Sequence, residues 1–358
     1  MSLIQPLPSG PLDIVGDIHG EFEALTQLLG RLGYDSQGRH PEGRRLVFVG
    51  DFCDRGPDSP AVLMRARDLV RSGSAVAVLG NHEINLLRED VKDGSGWFFD
   101  ARMAQDQDKY APYQRPTPEQ RRDIVEFLSG LPIALERPDL RVIHAAWQEP
   151  QIEAIRELPI GSVREEYDRW ELQGQQHARE SQLADRMVKE REHWPHGLES
   201  SLHEPPFLHA HGEFEANKQM FNPLKVLTSG VEEMGTATFF AGGKWRFVRR
   251  VPWWNAYTGA IPVVVGHYWR RFSPMERPNA TKDAAKGDKH LFESVHPFAW
   301  HGVRRNVFCV DFSVGARWVA RKSGEPPEKN FKLAALRWPE RTLQFDDGQV
   351  HATEGFGG

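Results

Sequence analysis

Cysteine is almost absent from this chain of 358 residues, with Cys53 and Cys309 the only two. That scarcity excludes a disulfide framework and a cysteine-type zinc site, and it fits a reducing compartment. Long apolar runs are missing too: none approaches the roughly 20 residues that a membrane-spanning helix needs. The opening stretch MSLIQPLPSGPLDIVGD has no basic segment followed by an apolar core, so no secretory leader is expected. These absences together place the protein in the cytoplasm, without a membrane partner. Basic charge is not in excess either. With 45 Lys and Arg against 50 Asp and Glu, the net charge is −5, and general DNA binding is not expected. There is no internal repeat and no low-complexity tract. What remains is ordinary globular composition, 39% hydrophobic and 27% charged, in a chain long enough for two domains or one domain with insertions.

The first half alternates in period. LDIV (12–15), LVFV (46–49) and AVAVL (75–79) read as short buried strands. Between them, Phe22, Leu25, Leu28, Leu29 and Leu32 recur at helical spacing. A second helix begins near Ser59, the candidate N-cap, with Pro60 in its first turn. This strand–helix rhythm predicts an α/β fold with parallel pairing. Residues 89–115 show no clean period. A helix follows with Thr117 as cap, Pro118 at its first position and Gly130 near its end. RVIHAAW (141–147) and IPVVVGHYW (261–269) read as strands, as do NVFCVDF and KLAALRW further on. Residues 151–225 differ from the rest, being strongly charged and mostly helical. They read as an inserted cap or lid, leaving 10–150 and 226–358 as the main domain. TATFFAGGKWRFVRRVPWW suggests a hairpin, and the polar stretch 270–290 a mobile loop.

Five of these strands end on groups that bind metals or phosphate. They supply Asp17 and His19; Asp51, Asp54 and Arg55; Asn81, His82 and Glu83; His144; and His267. In open α/β sheets, ligands gather beyond the carboxyl ends of strands. One such residue alone is ordinary turn or cap chemistry, but five strand ends in succession are not. Carboxylates, an amide and imidazoles suit Mn²⁺, Fe, Zn²⁺, Co²⁺ or Ni²⁺ better than Mg²⁺ alone. Six donors are too many for one ion with an open position. They fit two ions sharing a carboxylate.

GDIHG, GDFCDRG, GNHE, HAAW and VVVGH, in that order, resemble the signature blocks of the calcineurin-like metallophosphoesterase superfamily. The DRG of the second block, and the Glu after GNH, are similar to its phosphoprotein phosphatase and diadenosine tetraphosphatase branch. The resemblance implies a four-layer α-β-β-α sandwich of two mixed sheets flanked by helices. It assigns Asp17 and His19 to one metal, Asp51 to a bridging position, and Asn81, His144 and His267 to the second metal. It makes His82 the acid for the leaving group, supported by Asp54, with Arg55 and Asn81 contacting the phosphate. The implied cofactors are two divalent ions, Mn²⁺ first. The implied reaction is hydrolysis of phosphate monoesters, on protein or small molecules, by a hydroxide bridging the metals. A diadenosine tetraphosphate, nucleotide or RNA-end phosphohydrolase is the alternative, and a silent phospho-ligand binding module a third reading.

Departures from the family pattern are HAAW for the usual His-Gly-Gly, and Trp269 where other branches carry a second histidine. A second phosphate-binding arginine cannot be aligned; Arg246, Arg249, Arg250 and the outlying Arg270 are candidates. His209 and His211 read as surface or loop histidines. Trp253 and Trp254 read as core, with a base-stacking platform as the alternative. Glu83 reads as a support for its neighbours rather than a ligand.

Overall fold

The computed structural model describes residues 1–241, 243–272, 291–292 and 295–358. The loop expected at 270–290 lies outside the described residues from 273 onward. In chain order the first half runs β1 (Ile4–Pro6), β2 (Leu12–Val15), α1 (Phe22–Leu32), β3 (Arg45–Phe48), α2 (Ser59–Arg71), β4 (Ala75–Ala77), α3 (Asn81–Leu87), α4 (Asp100–Tyr110), α5 (Pro118–Ser129), β5 (Ala134–Arg137) and β6 (Leu140–Ile143). A helical stretch follows: α6 (Glu149–Ile155), α7 (Val163–Glu180), α8 (Leu183–Glu192), α9 (His209–Met220) and α10 (Pro223–Ser229). The hairpin β7 (Glu232–Ala241) and β8 (Lys244–Arg250) leads to β9 (Val263–Val265), β10 (Val307–Cys309), α11 (Arg317–Ser323), β11 (Ala334–Trp338), β12 (Thr342–Phe345) and β13 (Val350–Ala352).

Two mixed sheets form the centre. One has the order β13-β12-β11-β2-β3-β4, and the other β1-β5-β6-β9-β10. The pairs β2–β3, β3–β4, β6–β9 and β9–β10 are parallel, as the alternating periods predicted. Between the sheets lies a core that includes Ile14, Val47 and Leu336 from the first and Val142, Val264 and Phe308 from the second. Helices cover the outer faces: α1 buries Leu25, Leu28, Leu29 and Leu32. This is the four-layer sandwich. Among the described residues no helix is long and apolar enough to cross a membrane.

Several local expectations change. The N-cap of α2 is Asp58, whose side chain accepts from Ala61 N; Ser59 is the first helical residue, and its hydroxyl accepts instead from Asp54 N at 3.0 Å. The stretch 89–115 contains α4, which periodicity missed because it buries only Asp106 and Tyr110. Asp106 anchors it by accepting from Gly96 N and Arg102 Nε. The strongly charged part of 151–225 holds two helices, α7 and α8, separated where Gln182 takes a left-handed φ of 57°. Strand β2 also hides a charge. Asp13 is fully buried and satisfied by Arg44, Arg337 and Tyr34, partners brought in from distant elements. An unpartnered carboxylate there would cost several kcal/mol, on the order given for buried ions.

Candidate metal centre

The carboxyl ends of β2, β3, β6 and β9 converge with the N-terminus of α3. They bring together Asp17, His19, Asp51, Asp54, His82, His144 and His267, all buried. The backbone leaves these strands in uncommon conformations. His19, Asp51, Asp54, Arg55 and His267 all have positive φ, between 47° and 72°. For residues other than glycine each such conformation costs about 1–3 kcal/mol and persists only where its surroundings enforce it. Here the loops are locked against one another. A Cβ on Gly80 would lie 2.2 Å from Asp51 Oδ1, and one on Gly266 2.0 Å from Asp17 Oδ1. Only glycine lets these carboxylates approach the neighbouring strand end so closely.

Hydrogen bonds set the histidine tautomers. His19 Nδ1 faces the Cys53 carbonyl at 2.9 Å, and His144 Nδ1 faces the Val49 carbonyl at 2.8 Å. A carbonyl only accepts, so both Nδ1 atoms carry protons and both Nε2 atoms offer lone pairs. That is the usual preparation of a metal-ligating histidine. His144 Nε2 then meets Asn81 Oδ1 at 3.3 Å and Asp51 Oδ2 at 3.4 Å. Three electron-rich atoms at that separation repel unless a positive charge sits among them. Burial lowers the pKa of His144, yet Asp51 outweighs it and the ring is pushed up to about 10. A positive charge, whether a proton on His144 Nε2 or a bound cation, is favoured there. His267 Nδ1 lies 3.0 Å from Asn81 Oδ1, and its Nε2 is buried without a partner among the described residues.

Two groups of donors close enough to hold an ion emerge: His19, Asp51 and His82, and Asp51, His144 and His267. Asp51 belongs to both. Asp17 sits beside the first, with Oδ2 4.0 Å from His19 Nε2, while both of its oxygens accept from His267 N. Burial, together with Asp311 and then Asp51, pushes the Asp17 carboxyl well above its usual range. A positive charge in the cluster would relieve that repulsion. The donor set thus fits divalent ions.

On the open side, His82 Nδ1 is 2.5 Å from Asp54 Oδ2. Burial lowers the His82 pKa, but the Asp51 and Asp54 carboxylates prevail over it and over Arg55, and the net shift is upward. Arg55 points its fork at two imidazoles: Nη1 lies 3.0 Å from His19 Nε2 and Nη2 3.1 Å from His82 Nε2. A phosphate oxygen, being charged, is a stronger acceptor for that fork than an imidazole nitrogen.

The remaining sequence candidates divide. Glu83 binds backbone amides of the β3 loop, as its support role anticipated. Arg249 pairs with Glu233 on the hairpin. Arg250 stands near His267, where its charge, after burial, depresses the imidazole pKa. Arg270 is turned inward, with Nη2 on the His296 and Ala299 carbonyls, so it cannot reach a substrate. His209 and His211 lie in the first turn of α9, with His209 exposed as the surface reading expected and His211 half-buried. Trp253 and Trp254 are buried, as the core reading expected. Two functional neighbours were not anticipated. Trp97 Nε1 donates to Asp54 Oδ1 at 2.5 Å. Asp311 accepts from Trp269 N at 2.8 Å and Ser313 N at 2.7 Å. Trp97 carries no sequence signal beyond its residue type, whereas Asp311 lies in VDFSVGARW, which stands where the family has Asp-Thr-Gly.

Residues 10–242, more than half of the chain, match the family described as calcineurin-like phosphoesterase. This chain belongs to that family. Among curated relatives of this calcineurin-like phosphoesterase is the bis(5'-nucleosyl)-tetraphosphatase PrpE [asymmetrical] of Halalkalibacterium halodurans, 44% identical over 79 residues, which are 21% of this chain and 32% of the relative. The protein of the same name from Anoxybacillus flavithermus is 48% identical over 79 residues, with the same coverage of both chains. The chain therefore spans about a third of the length of the curated relatives it matches. A solved structure, the cold-active protein-tyrosine phosphatase of a psychrophilic Shewanella species, aligns with 98% of this chain and 83% of its own at 16% identity and a TM-score of 0.45. His267 lies beyond the matched span, and the structure sets it beside Asp51 and His144.

Proposed function

We propose that this calcineurin-like phosphoesterase hydrolyses nucleoside polyphosphates with two divalent cations. The observation that carries the reading is Asp51, shared by two donor groups, with the Arg55 fork on His19 and His82 of the first and Asp54 on His82 Nδ1. Asp17, His19 and Asp51 would hold one ion, and Asp51, Asn81, His144 and His267 the other. Such ions supply Lewis acidity toward phosphoryl oxygens and lower the pKa of a water nucleophile. Arg55 grips the phosphate with two parallel donors and stabilises charge on it as phosphorus is attacked. Asn81 presents its amide to the same pocket, and Arg250 is placed to serve as a second cationic contact. His82, whose pKa the Asp51 and Asp54 carboxylates raise, would deliver a proton from Nε2 to the departing oxygen while Asp54 holds Nδ1. The helical stretch 151–225 acts as a cap. It docks on α3, the helix that begins at Asn81, through Arg88 Nε to Asp168 Oδ1 at 2.8 Å.

The names of the partial relatives favour a nucleotide substrate over a phosphomonoester of protein or small molecules. The complete donor set argues against a silent binding module. The test is a Mn²⁺-dependent panel of p-nitrophenyl phosphate, a phosphotyrosyl peptide and diadenosine tetraphosphate, with a chelator control. Chelator-sensitive turnover with the dinucleotide preferred is expected. Preference for the peptide would restore the monoesterase reading. No turnover with any metal would leave only the binding module.

Trp97 gives a narrower prediction. Trp97→Phe keeps the ring but removes the donor to Asp54, a hydrogen bond to a charged group worth about 1.5–3 kcal/mol. Hydrolysis of alkyl phosphates is expected to fall about tenfold or more, and that of p-nitrophenyl phosphate less, because a good leaving group needs little protonation. His82→Ala should show the same asymmetry, more strongly. Equal losses on both substrates would separate Trp97 from proton delivery.

A further inference from the structure

Trp269 stands apart from the other tryptophans near the donors. Trp97, Trp147, Trp253 and Trp254 are buried, whereas Trp269 is 38% exposed. Its backbone has a φ of 47°, a left-handed conformation that a bulky side chain rarely adopts. The fold enforces it from both sides. The buried carboxylate of Asp311 accepts from Trp269 N, the Asp311 carbonyl accepts from Arg270 N at 2.9 Å, and the Ser313 hydroxyl donates to the Arg270 carbonyl at 2.9 Å. Arg270 is fastened in turn to the carbonyls of Cys309, His296 and Ala299. A strained, exposed indole so firmly held at the mouth of a site is presented to something.

The indole rests against the site's own machinery. Its ring lies 4.9 Å from Arg55 Cζ and 6.4 Å from the His19 ring. Arg55 occupies part of one face, and the exposed remainder is free to take a planar partner. We propose that Trp269 is a specificity-determining residue, a stacking platform for the nucleobase of a nucleoside polyphosphate whose phosphate is held by Arg55. This rests on the phosphoesterase reading and names its substrate class. The fork edge of Arg55 faces His19 and His82. A ring joined to phosphorus through one ester oxygen, as in an aryl phosphate, stays in front of that fork. A base separated from the cleaved phosphate by ribose and further phosphates has the reach to fold onto the indole. Every base has a π-face, so the platform selects for a base without selecting strongly among bases. The platform considered at Trp253–Trp254 in the sequence thus lies instead two residues past His267.

The test uses the full chain with Mn²⁺. For wild type, Trp269→Ala and Trp269→Phe, kcat/KM is measured with diadenosine tetraphosphate, inorganic tripolyphosphate and a phosphotyrosyl peptide. In Trp269→Ala the ratio of dinucleotide to tripolyphosphate is expected to fall about tenfold, as alanine replacement of a base-stacking aromatic usually costs. The loss should lie mainly in KM. Trp269→Phe should recover most of it, which a folding defect would not allow. An unchanged ratio in Trp269→Ala overturns the proposal. A loss confined to the peptide overturns it in favour of a tyrosyl ring. A wild type that hydrolyses the peptide but not the dinucleotide overturns it while leaving the phosphoesterase reading intact. No hydrolysis of any substrate by wild type defeats both.

Discussion

Asp51→Asn is expected to lower Mn²⁺-dependent hydrolysis more than a hundredfold and to reduce bound metal from two ions to one or none. Loss of a group that merely orients a metal ligand costs about 10–100-fold in affinity or activity, and Asp51 is a donor in its own right. Its Oδ2 faces His144 Nε2 at 3.4 Å, His19 Nε2 at 3.7 Å and His82 Nε2 at 3.8 Å. Its Oδ1 accepts from His82 N at 3.1 Å. Burial alone would raise its pKa, yet His144, His82 and His19 hold the carboxyl well below the usual range. The position is built for a negative charge common to two donor groups. Asparagine keeps the shape and one oxygen but removes that charge, so the fold should survive while the metals do not. Kinetics with metal analysis of the dialysed protein checks both halves. Two ions retained with near-normal turnover would remove Asp51 from its shared position.

Much of the site was legible because charge at the end of an apolar strand has few explanations. LVFV leads through Gly50 into Asp51, and VVV leads through Gly266 into His267; the parallel pairing of β2 with β3 and of β6 with β9 then sets neighbouring strand ends side by side. What was not legible depends on partners far away in the chain. Asp13 sits in LDIV with its guanidinium 31 residues on, at Arg44, and no local pattern links them. Trp97 belongs to a stretch without hydrophobic period, so its donation to Asp54 is a product of tertiary packing. Ser59 was misplaced as a cap for a local reason. Asp58 and Ser59 are both good caps, and the loop uses one for the helix and the other for Asp54 N. Trp269 was visible only as a departure from the family pattern. Its exposure and its strained backbone required the three-dimensional structure.

Glu83→Ala should destabilise the protein by about 3 kcal/mol or more and weaken metal binding, although Glu83 ligates nothing. The side chain is fully buried and spends its acceptors on the β3 loop and on Gly80 at the start of α3. Oε2 accepts from Asp51 N at 2.8 Å and Gly80 N at 3.0 Å; Oε1 accepts from Phe52 N at 2.9 Å and faces Cys53 Sγ at 3.3 Å. Truncation orphans three buried amides, each costing about 1–3 kcal/mol. It also releases the loop that holds Asp51 at a φ of 50°, so the shared carboxylate loses its aim along with its support. Glu83→Gln separates charge from shape. Its one carbonyl can serve some of these amides, but its NH₂ group must confront another donor. Stability and metal affinity should therefore rank wild type, then glutamine, then alanine, measured by urea midpoints and metal titration. An alanine variant that melts like wild type and binds metal as tightly would show that the loop holds Asp51 without help. A glutamine variant with normal stability and normal metal, yet no turnover, would move Glu83 from support into the reaction itself, because only then would its charge matter where its hydrogen bonds do not.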